Sequence, residues 1–274
     1  MLDAILLFRE ALYGALVIAA VCSMLGVYVV LRRIVFVGAA LAQLSTLGIA
    51  LSFWLTGIGV AGFLTGQPLV LSLMATLAGV LFFGVGAGRA RIPADARIGV
   101  AYAVAAALAI LFIAKAAAGE AHDIFLQGNI LGITRRDWVV LLAVSVPVAA
   151  VHVAFYKEFL FISFDQETAR SLGYRVERWT LLLYLTIGVA IASAMQFAGM
   201  MLVFNFLVLP AVTGLFLAHR MAGVFAWAVG AGLLAAVVGF SLSVPFDLPT
   251  GPAIVAVSGA FVVLAWGIQR LREG

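Results

Sequence analysis

Few residues in this sequence have side chains that could bind a metal ion. His122 and Asp123 are neighbours in a mixed polar and apolar segment, and imidazole and carboxylate groups are ligands of divalent transition metals. We treat this pair as a candidate metal site or entrance lining, with an ordinary solvated pair as the alternative. His152 lies inside an apolar run, where an ionisable group indicates a function unless it simply reaches the lipid headgroups.

The sulfur-containing residues offer a second possibility. Met195, Met200 and Met201 fall around a turn expected at residues 196–200. Thioether sulfur suits soft ions such as Cu(I), but methionine is also a flexible gap-filler at irregular turns, and we favour that interpretation. The single cysteine, Cys22, excludes a disulfide within the chain and a CxxC metal site.

A charged stretch, FLFISFDQETARSLGYRVER at residues 159–178, interrupts the apolar second half of the chain. Asp165 is suited to cap a helix whose first turn carries Glu167, and Gly173 is suited to end it. We therefore predict a short amphipathic surface helix near residues 165–174, with Ala169 and Leu172 as its apolar side chains. The alternative is a solvated loop between two spans.

The composition places these residues in a membrane protein. The 274 residues are 65% hydrophobic and only 10% charged, whereas a soluble domain has about 25% charged residues. Apolar runs of about 20 residues cross a bilayer as helices. We predict an all-α, polytopic membrane protein with one transmembrane domain over residues 1–274. Nine spans are predicted, at residues 11–31, 36–55, 68–86, 97–114, 138–156, 179–195, 200–217, 222–242 and 253–268.

The basic residues suggest how the spans are oriented. With nine spans and the N-terminus outside, 12 of the 16 lysines and arginines fall on the cytoplasmic side, as the positive-inside rule expects. The four outside are Arg9, Lys115, Arg135 and Arg136. Eight spans is the alternative, if residues 200–217 form a re-entrant segment. The net charge of +4 belongs to these loops and does not indicate nucleic-acid binding.

Three stretches together resemble a known family: VLRRIVFVGAALAQLSTLGIAL, FDQETARSLGYRVERW and FDLPTGPAIVAVSGAFVVL. In order and spacing they are similar to the permeases of the ABC importers for zinc, manganese and iron, the ABC-3 family. The segment LQGNILGI resembles a further stretch of that family. The resemblance implies the type II importer permease fold, in a homodimer that sits on two ATPase subunits and receives solute from an extracytoplasmic binding protein.

The resemblance also gives the surface helix a role. It implies that the helix at residues 165–174 is the coupling helix that inserts into a groove of the ATPase. The residues assigned to this contact are Asp165, Glu167, Ala169, Leu172 and Gly173. The chain would then perform no covalent chemistry and bind no cofactor, while ATP binds to the partner subunit. No P-loop of the form GxxxxGK[ST] occurs in the sequence.

The sequence departs from the family pattern in the second span. The family has an Asp and a His four residues apart there, on one helix face, where they can hold a metal together. The corresponding residues are Ala39 and Gln43, and neither is a good transition-metal ligand. We assign Ala39, Gln43 and Asn205 to the translocation pathway, with a hydrogen bond between helices as the alternative for Gln43.

These observations lead to three functional hypotheses. The first is the permease of a bacterial ABC importer for a divalent transition metal, in the cytoplasmic membrane, working by alternating access. The second is a permease of the same fold for a metal chelate or another small solute, which the loss of the Asp/His pair favours. The third, a secondary transporter, would place carboxylates in the spans, and none of the predicted spans contains Asp or Glu.

Overall fold

The computed structural model describes residues 8–60, 62, 67–84, 94–116 and 130–273. Regular structure in these residues is helical. The helices are α1 (Arg9–Leu31), α2 (Val35–Gly57), α3 (Pro68–Gly84), α4 (Ala94–Lys115), α5 (Arg135–Ala154), α6 (Tyr156–Phe164), α7 (Gln166–Ser171), α8 (Val176–Leu217), α9 (Met221–Ser243) and α10 (Thr250–Glu273), with a 3-10 turn at Ile130–Gly132 before α5.

Most of these helices are long and apolar enough to cross a membrane. Seven qualify among the described residues, namely α1, α2, α4, α5, α8, α9 and α10, and α3 is a shorter apolar helix. The all-helical, multi-span architecture is therefore confirmed. The count of nine spans stays a prediction, because α3 is shorter than the seven qualifying helices and α8 holds predicted spans 6 and 7 as two helical halves joined at Gly199.

Helix α8 turns back on itself at Gly199. A straight helix of its 42 residues would be about 63 Å long, twice the hydrocarbon thickness of a bilayer. Gly199 has φ 71° and ψ 168°, a region essentially restricted to glycine. Near the start of α8, Thr180 accepts a hydrogen bond of 3.0 Å from Arg32. Near its end, Leu215 packs against the same hydrophobic cluster as Leu31 of α1. Both ends of α8 thus lie beside the same end of α1.

Small residues allow the central helices to approach closely. A Cβ on Gly26 of α1 would collide with the carbonyl oxygen of Leu207 on α8, and a Cβ on Gly48 of α2 would collide with that of Leu71 on α3. Close approach of this kind is typical of packing between membrane helices. At Gly48 this small-residue packing joins α2 to α3 within the chain.

The end of the fifth predicted span differs from the sequence expectation. Helix α5 ends at Ala154, and after a turn at Phe155 a separate nine-residue helix, α6, begins. Phe159 and Ile162 of α6 are buried, so α6 packs against the bundle although part of it lies in the stretch that the sequence marked as charged. Helix α6 thereby fixes the position from which α7 begins.

Two side-chain hydrogen bonds show which residues lie at each end of the bundle. At one end, Arg272 at the close of α10 donates to the carbonyl oxygen of Leu217 at 3.2 Å, beside the end of α1 where Arg32 contacts α8. At the other end, the Trp138 indole N–H donates to the carboxylate of Glu10. The first end carries arginines, as the positive-inside rule expects of the cytoplasmic side, and its assignment to the cytoplasm stays a prediction.

Candidate functional site

A cavity of about 770 Å³ lies between α2, α4 and the second half of α8. Ala39 on α2 and Asn205 on α8 both line it, so the structure brings together two of the three residues assigned to the pathway. The other walls are apolar or aromatic, with Tyr102 on α4 and Met201 and Phe204 on α8 among them. Size and lining resemble those of small-molecule sites, which are mostly apolar with a few placed polar groups.

Asn205 contributes an amide side chain to the lining of this cavity. It is buried, and its Nδ2 donates to Ser258 Oγ on α10 at 3.1 Å. Its Oδ1 is buried and has no hydrogen-bond partner among the described residues. Since an unpaired buried acceptor costs about 1–3 kcal/mol, a hydrogen-bond donor or cation that reached this oxygen would be stabilised there.

Gln43 lies one helical turn beyond Ala39 and is not part of the cavity lining. Its side chain is buried, at 7% relative exposure. No hydrogen bond joins it to another residue in the described part of the chain, so the expected alternative, a bond between helices, is not observed. The bond that does join neighbouring helices nearby is between Ser45 and Ser72, at 2.7 Å.

The described residues hold no group of three or more His, Cys, Asp or Glu side chains that could bind a metal ion. The candidate ligands His122 and Asp123 lie outside the described residues. Met200 and Met201 do line the cavity, which places two thioethers near the amide of Asn205 on the same helix. The preference for gap-filling over soft-ion binding stays a prediction for these methionines.

His152 does not reach the membrane surface. It is 1% exposed, its Nε2 and Thr186 Oγ1 share a hydrogen bond of 2.9 Å, and its ring stacks on Phe159 at 4.5 Å between centroids. The alternative in which His152 reaches the lipid headgroups is therefore excluded, and a functional role for it stays a prediction. His152 links α5, α6 and α8 below the surface helix, outside the cavity.

The short surface helix is built as its sequence indicates. Asp165 is the N-cap of α7, and its carboxylate accepts the backbone N–H groups of Glu167 at 3.1 Å and Thr168 at 2.9 Å. The Thr168 hydroxyl donates to the same carboxylate at 2.5 Å. The hydroxyl bond from Thr168, with these backbone bonds, lowers the pKa of Asp165. The cap therefore contributes stability that is lost as the pH falls through this lowered pKa.

The end of α7 is a Schellman motif. Gly173 has φ 84°, its N–H donates to the carbonyl of Arg170, and the Tyr174 N–H donates to that of Ala169, both at 3.0 Å. Glycine tolerates this left-handed conformation without a steric penalty. Ala169 is buried, whereas Leu172 is 66% exposed. Helix α7 thus holds an exposed leucine at a fixed position above the bundle.

Several residues of the site were not identified from the sequence. Ile98, Gly99 and Tyr102 on α4 line the cavity, but the apolar character of α4 gives no indication of which face meets lipid and which meets a cavity. Arg32 was read only as a loop charge, yet its guanidinium reaches Thr180 and lies over the Tyr184 ring at 5.9 Å. Basic residues at span ends are common, so the sequence carried no signal for this contact.

Comparison with known proteins gives consistent similarities over the whole chain. A family profile described as the ABC 3 transport family matches residues 4–269. The manganese transport system membrane protein MntC of Halalkalibacterium halodurans is 28% identical over 260 residues, covering 94% of this chain and 86% of that protein. A probable iron transport system membrane protein of Haemophilus influenzae is 27% identical, covering 96% and 94%.

Two solved structures share the fold. PsaBC from Streptococcus pneumoniae, in complex with a Fab, aligns with a TM-score of 0.84 at 24% identity, covering 97% of this chain and 94% of that one. An inward-facing conformation of a putative metal-chelate type ABC transporter aligns with a TM-score of 0.77 at 12% identity, covering 96% and 88%.

Proposed function

Because the chain belongs to the ABC 3 transport family, we propose that it is the membrane-spanning permease subunit of an ABC importer for a divalent transition metal. It is a multi-pass protein of the bacterial cytoplasmic membrane. Manganese is the first candidate for the ion, since relatives over almost the whole chain are named as manganese permeases. Iron is the second, from the Haemophilus influenzae relative.

In this proposal the chain supplies the pathway, and its partners supply energy and selectivity. Two permeases pair around the pathway, a separate ATPase binds each permease through α7, and an extracytoplasmic binding protein delivers the ion. Exposed Leu172 and the capped ends of α7 support the docking role, because a rigid surface helix with an apolar side chain is a common recognition element. ATP hydrolysis then drives alternation between outward-open and inward-open states.

The main support for this pathway is the cavity that Ala39 and Asn205 both line. The unpaired Oδ1 of Asn205 is an amide oxygen, a hard ligand suited to Mn²⁺ rather than to soft ions. The described lining of the cavity contains no charged side chain, so the cavity binds a bare ion weakly. Weak binding agrees with passage of an ion that is released at the other side, with selectivity fixed earlier by the binding protein.

A second candidate function is the import of a metal chelate or another small solute. Two features favour it: a cavity of about 770 Å³ with mostly apolar walls, far larger than one ion needs, and the replacement of the metal-binding pair by Ala39 and Gln43. One of the structural neighbours is described as a putative metal-chelate type transporter, although at 12% identity this likeness concerns the fold alone.

The test is uptake into vesicles that carry the permease with its own ATPase and binding protein. ATP-dependent accumulation of Mn²⁺ from a chelator-free solution, lost when the ATPase is omitted, would support the proposal. If Mn²⁺, Fe²⁺ and Zn²⁺ are all excluded while a chelated form of one of them accumulates, the chelate function replaces the proposed one. Absence of ATP-dependent uptake for every form would contradict both.

A further inference from the structure

A groove of about 550 Å³ lies between the end of α7 and the start of α8. Its lining includes Leu172 at the exposed rim, Arg175 and Arg178, which are also exposed, and the partly buried Trp179 and Leu182. It lies on the side of α8 away from Thr180, which faces Arg32. The groove therefore combines two exposed guanidinium groups with a partly buried aromatic side chain and a partly buried aliphatic one.

The two arginines carry uncompensated positive charge. Their neighbour Arg170 pairs with Glu177 at 2.8 Å. By contrast, the side chains of Arg175 and Arg178 form no ion pair or hydrogen bond with any residue that the structure describes. Both are exposed, so an acceptor from outside the chain can reach them. Their charge favours an anionic occupant, and two guanidinium groups suit phosphate oxygens.

Trp179 and Leu182 lie on the part of the groove that leads into α8, a helix long and apolar enough to cross the membrane. Trp179 is held by edge-to-face contacts with Phe155 and Phe159, at 5.2 and 5.6 Å between centroids, and tryptophan is enriched at the membrane–water interface. Above it, Leu182 and the exposed Leu185 follow one another along the same face of α8. An anionic headgroup bound at the two arginines thus lies next to a row of apolar side chains that continues along α8.

We propose that this groove binds an anionic phospholipid from the leaflet at this end of the bundle, with the phosphate on Arg175 and Arg178 and an acyl chain along Leu182 and Leu185. A soluble protein could contact the rim at Leu172. It could not follow the groove to Leu182, which lies two turns inside a membrane-spanning helix, so the lining favours a lipid over a protein. The lipid would lie against the base of α7 and fix the height of that helix at the membrane surface.

The test is lipid binding to the full-length permease in detergent, measured by native mass spectrometry with phosphatidylglycerol and phosphatidylcholine as probes. The unaltered protein is expected to bind phosphatidylglycerol in preference. The double variant Arg175→Gln/Arg178→Gln should bind it about 30-fold more weakly, since each arginine near an anionic lipid contributes roughly fivefold. The matched control is Arg33→Gln/Arg220→Gln, which removes the same charge from two exposed arginines elsewhere at this end of the bundle.

Three results would overturn the proposal. Equal binding of the two lipids would show that charge does not select the occupant. An equal loss in the control variant would show a general surface effect rather than a site. Unchanged phosphatidylglycerol binding in the double variant, together with loss of the co-purified ATPase, would assign the two arginines to the ATPase interface instead.

Discussion

The amide of Asn205 donates to Ser258 Oγ at 3.1 Å and leaves its own Oδ1 buried without a partner in the described part of the chain. The bond fixes the orientation of the amide, because Ser258 Oγ donates in turn to the carbonyl of Ile254 at 3.0 Å and so has an oxygen lone pair to offer Asn205. Asn205 also lines the cavity, so its amide is held in one orientation at the cavity wall.

The substitution Asn205→Leu tests this oxygen. Leucine keeps the size of the side chain but removes the acceptor, so we expect ATP-driven uptake to fall about tenfold, the effect of losing roughly 1.4 kcal/mol of ligand interaction. The control is Thr213→Val, a buried polar residue of the same helix whose hydroxyl donates only to the Leu209 carbonyl. Equal uptake by the Asn205 and Thr213 variants would remove Asn205 from the pathway.

The double substitution Ala39→Asp with Gln43→His tests the missing metal site on α2. Asp and His four residues apart share a helix face and can bind one Zn²⁺ or Mn²⁺ together. We expect the purified variant to retain metal in an equilibrium-dialysis measurement, and the unaltered protein to retain none in stoichiometric amount. A stoichiometric ion in the unaltered protein that survives Gln43→Ala would contradict our assignment of Gln43 to the pathway.

The substitution Leu172→Asp tests docking through α7. Leu172 is exposed and lies next to the Gly173 turn, so a charge there should not disturb the bundle. If Leu172 is an anchor of the ATPase contact, its loss should weaken ATPase binding about 30-fold or more, measured by co-purification and by stimulated ATP hydrolysis. Leu248→Asp, at an exposed leucine of the turn before α10, is the control. Full ATPase binding by the Leu172 variant would exclude α7 as the coupling helix.

The substitution Gly199→Ala tests the reversal of α8. With φ at 71° and ψ at 168°, alanine would be strained by about 1–3 kcal/mol, so thermal unfolding in detergent should occur at lower temperature. Gly230→Ala is the control, because Gly230 lies in α9 and a Cβ there meets open space. A Gly199 variant as stable as the Gly230 variant would show that the reversal does not depend on this conformation.

The features predictable from the sequence are those set by local interactions. Asp165 and Gly173 signal the two ends of α7 because capping involves residues within one turn, and the apolar runs signal spans because each helix satisfies its own backbone. The family-like order of the stretches predicted the fold. Even the reversal near Gly199 could be located to residues 196–200, because the apolar runs on its two sides are together about twice as long as one bilayer crossing.

Features that depend on distant contacts were not predictable. Ala39 and Asn205 reach one cavity only because α2 and the second half of α8 pack together, and hydropathy does not report which apolar face meets which partner. Gly48 allows another helix to approach α2 closely, but nothing in the sequence identifies that helix as α3. Helix α6 was missed because its apolar residues, including Phe159 and Ile162, were grouped with the charged stretch that follows them in the sequence and are buried only by the fold.

The most direct measurement on the central claim is a chemical block of the cavity. Ala39→Cys places a thiol in the cavity lining, while the native Cys22 is fully buried and should not react. With the variant assembled in vesicles with its partners, a bulky thiol reagent is expected to abolish ATP-driven Mn²⁺ uptake, and the same reagent on Leu234→Cys, at an exposed position of α9, to leave it unchanged. Undiminished uptake by fully modified Ala39→Cys would contradict the assignment of this cavity to the transport pathway.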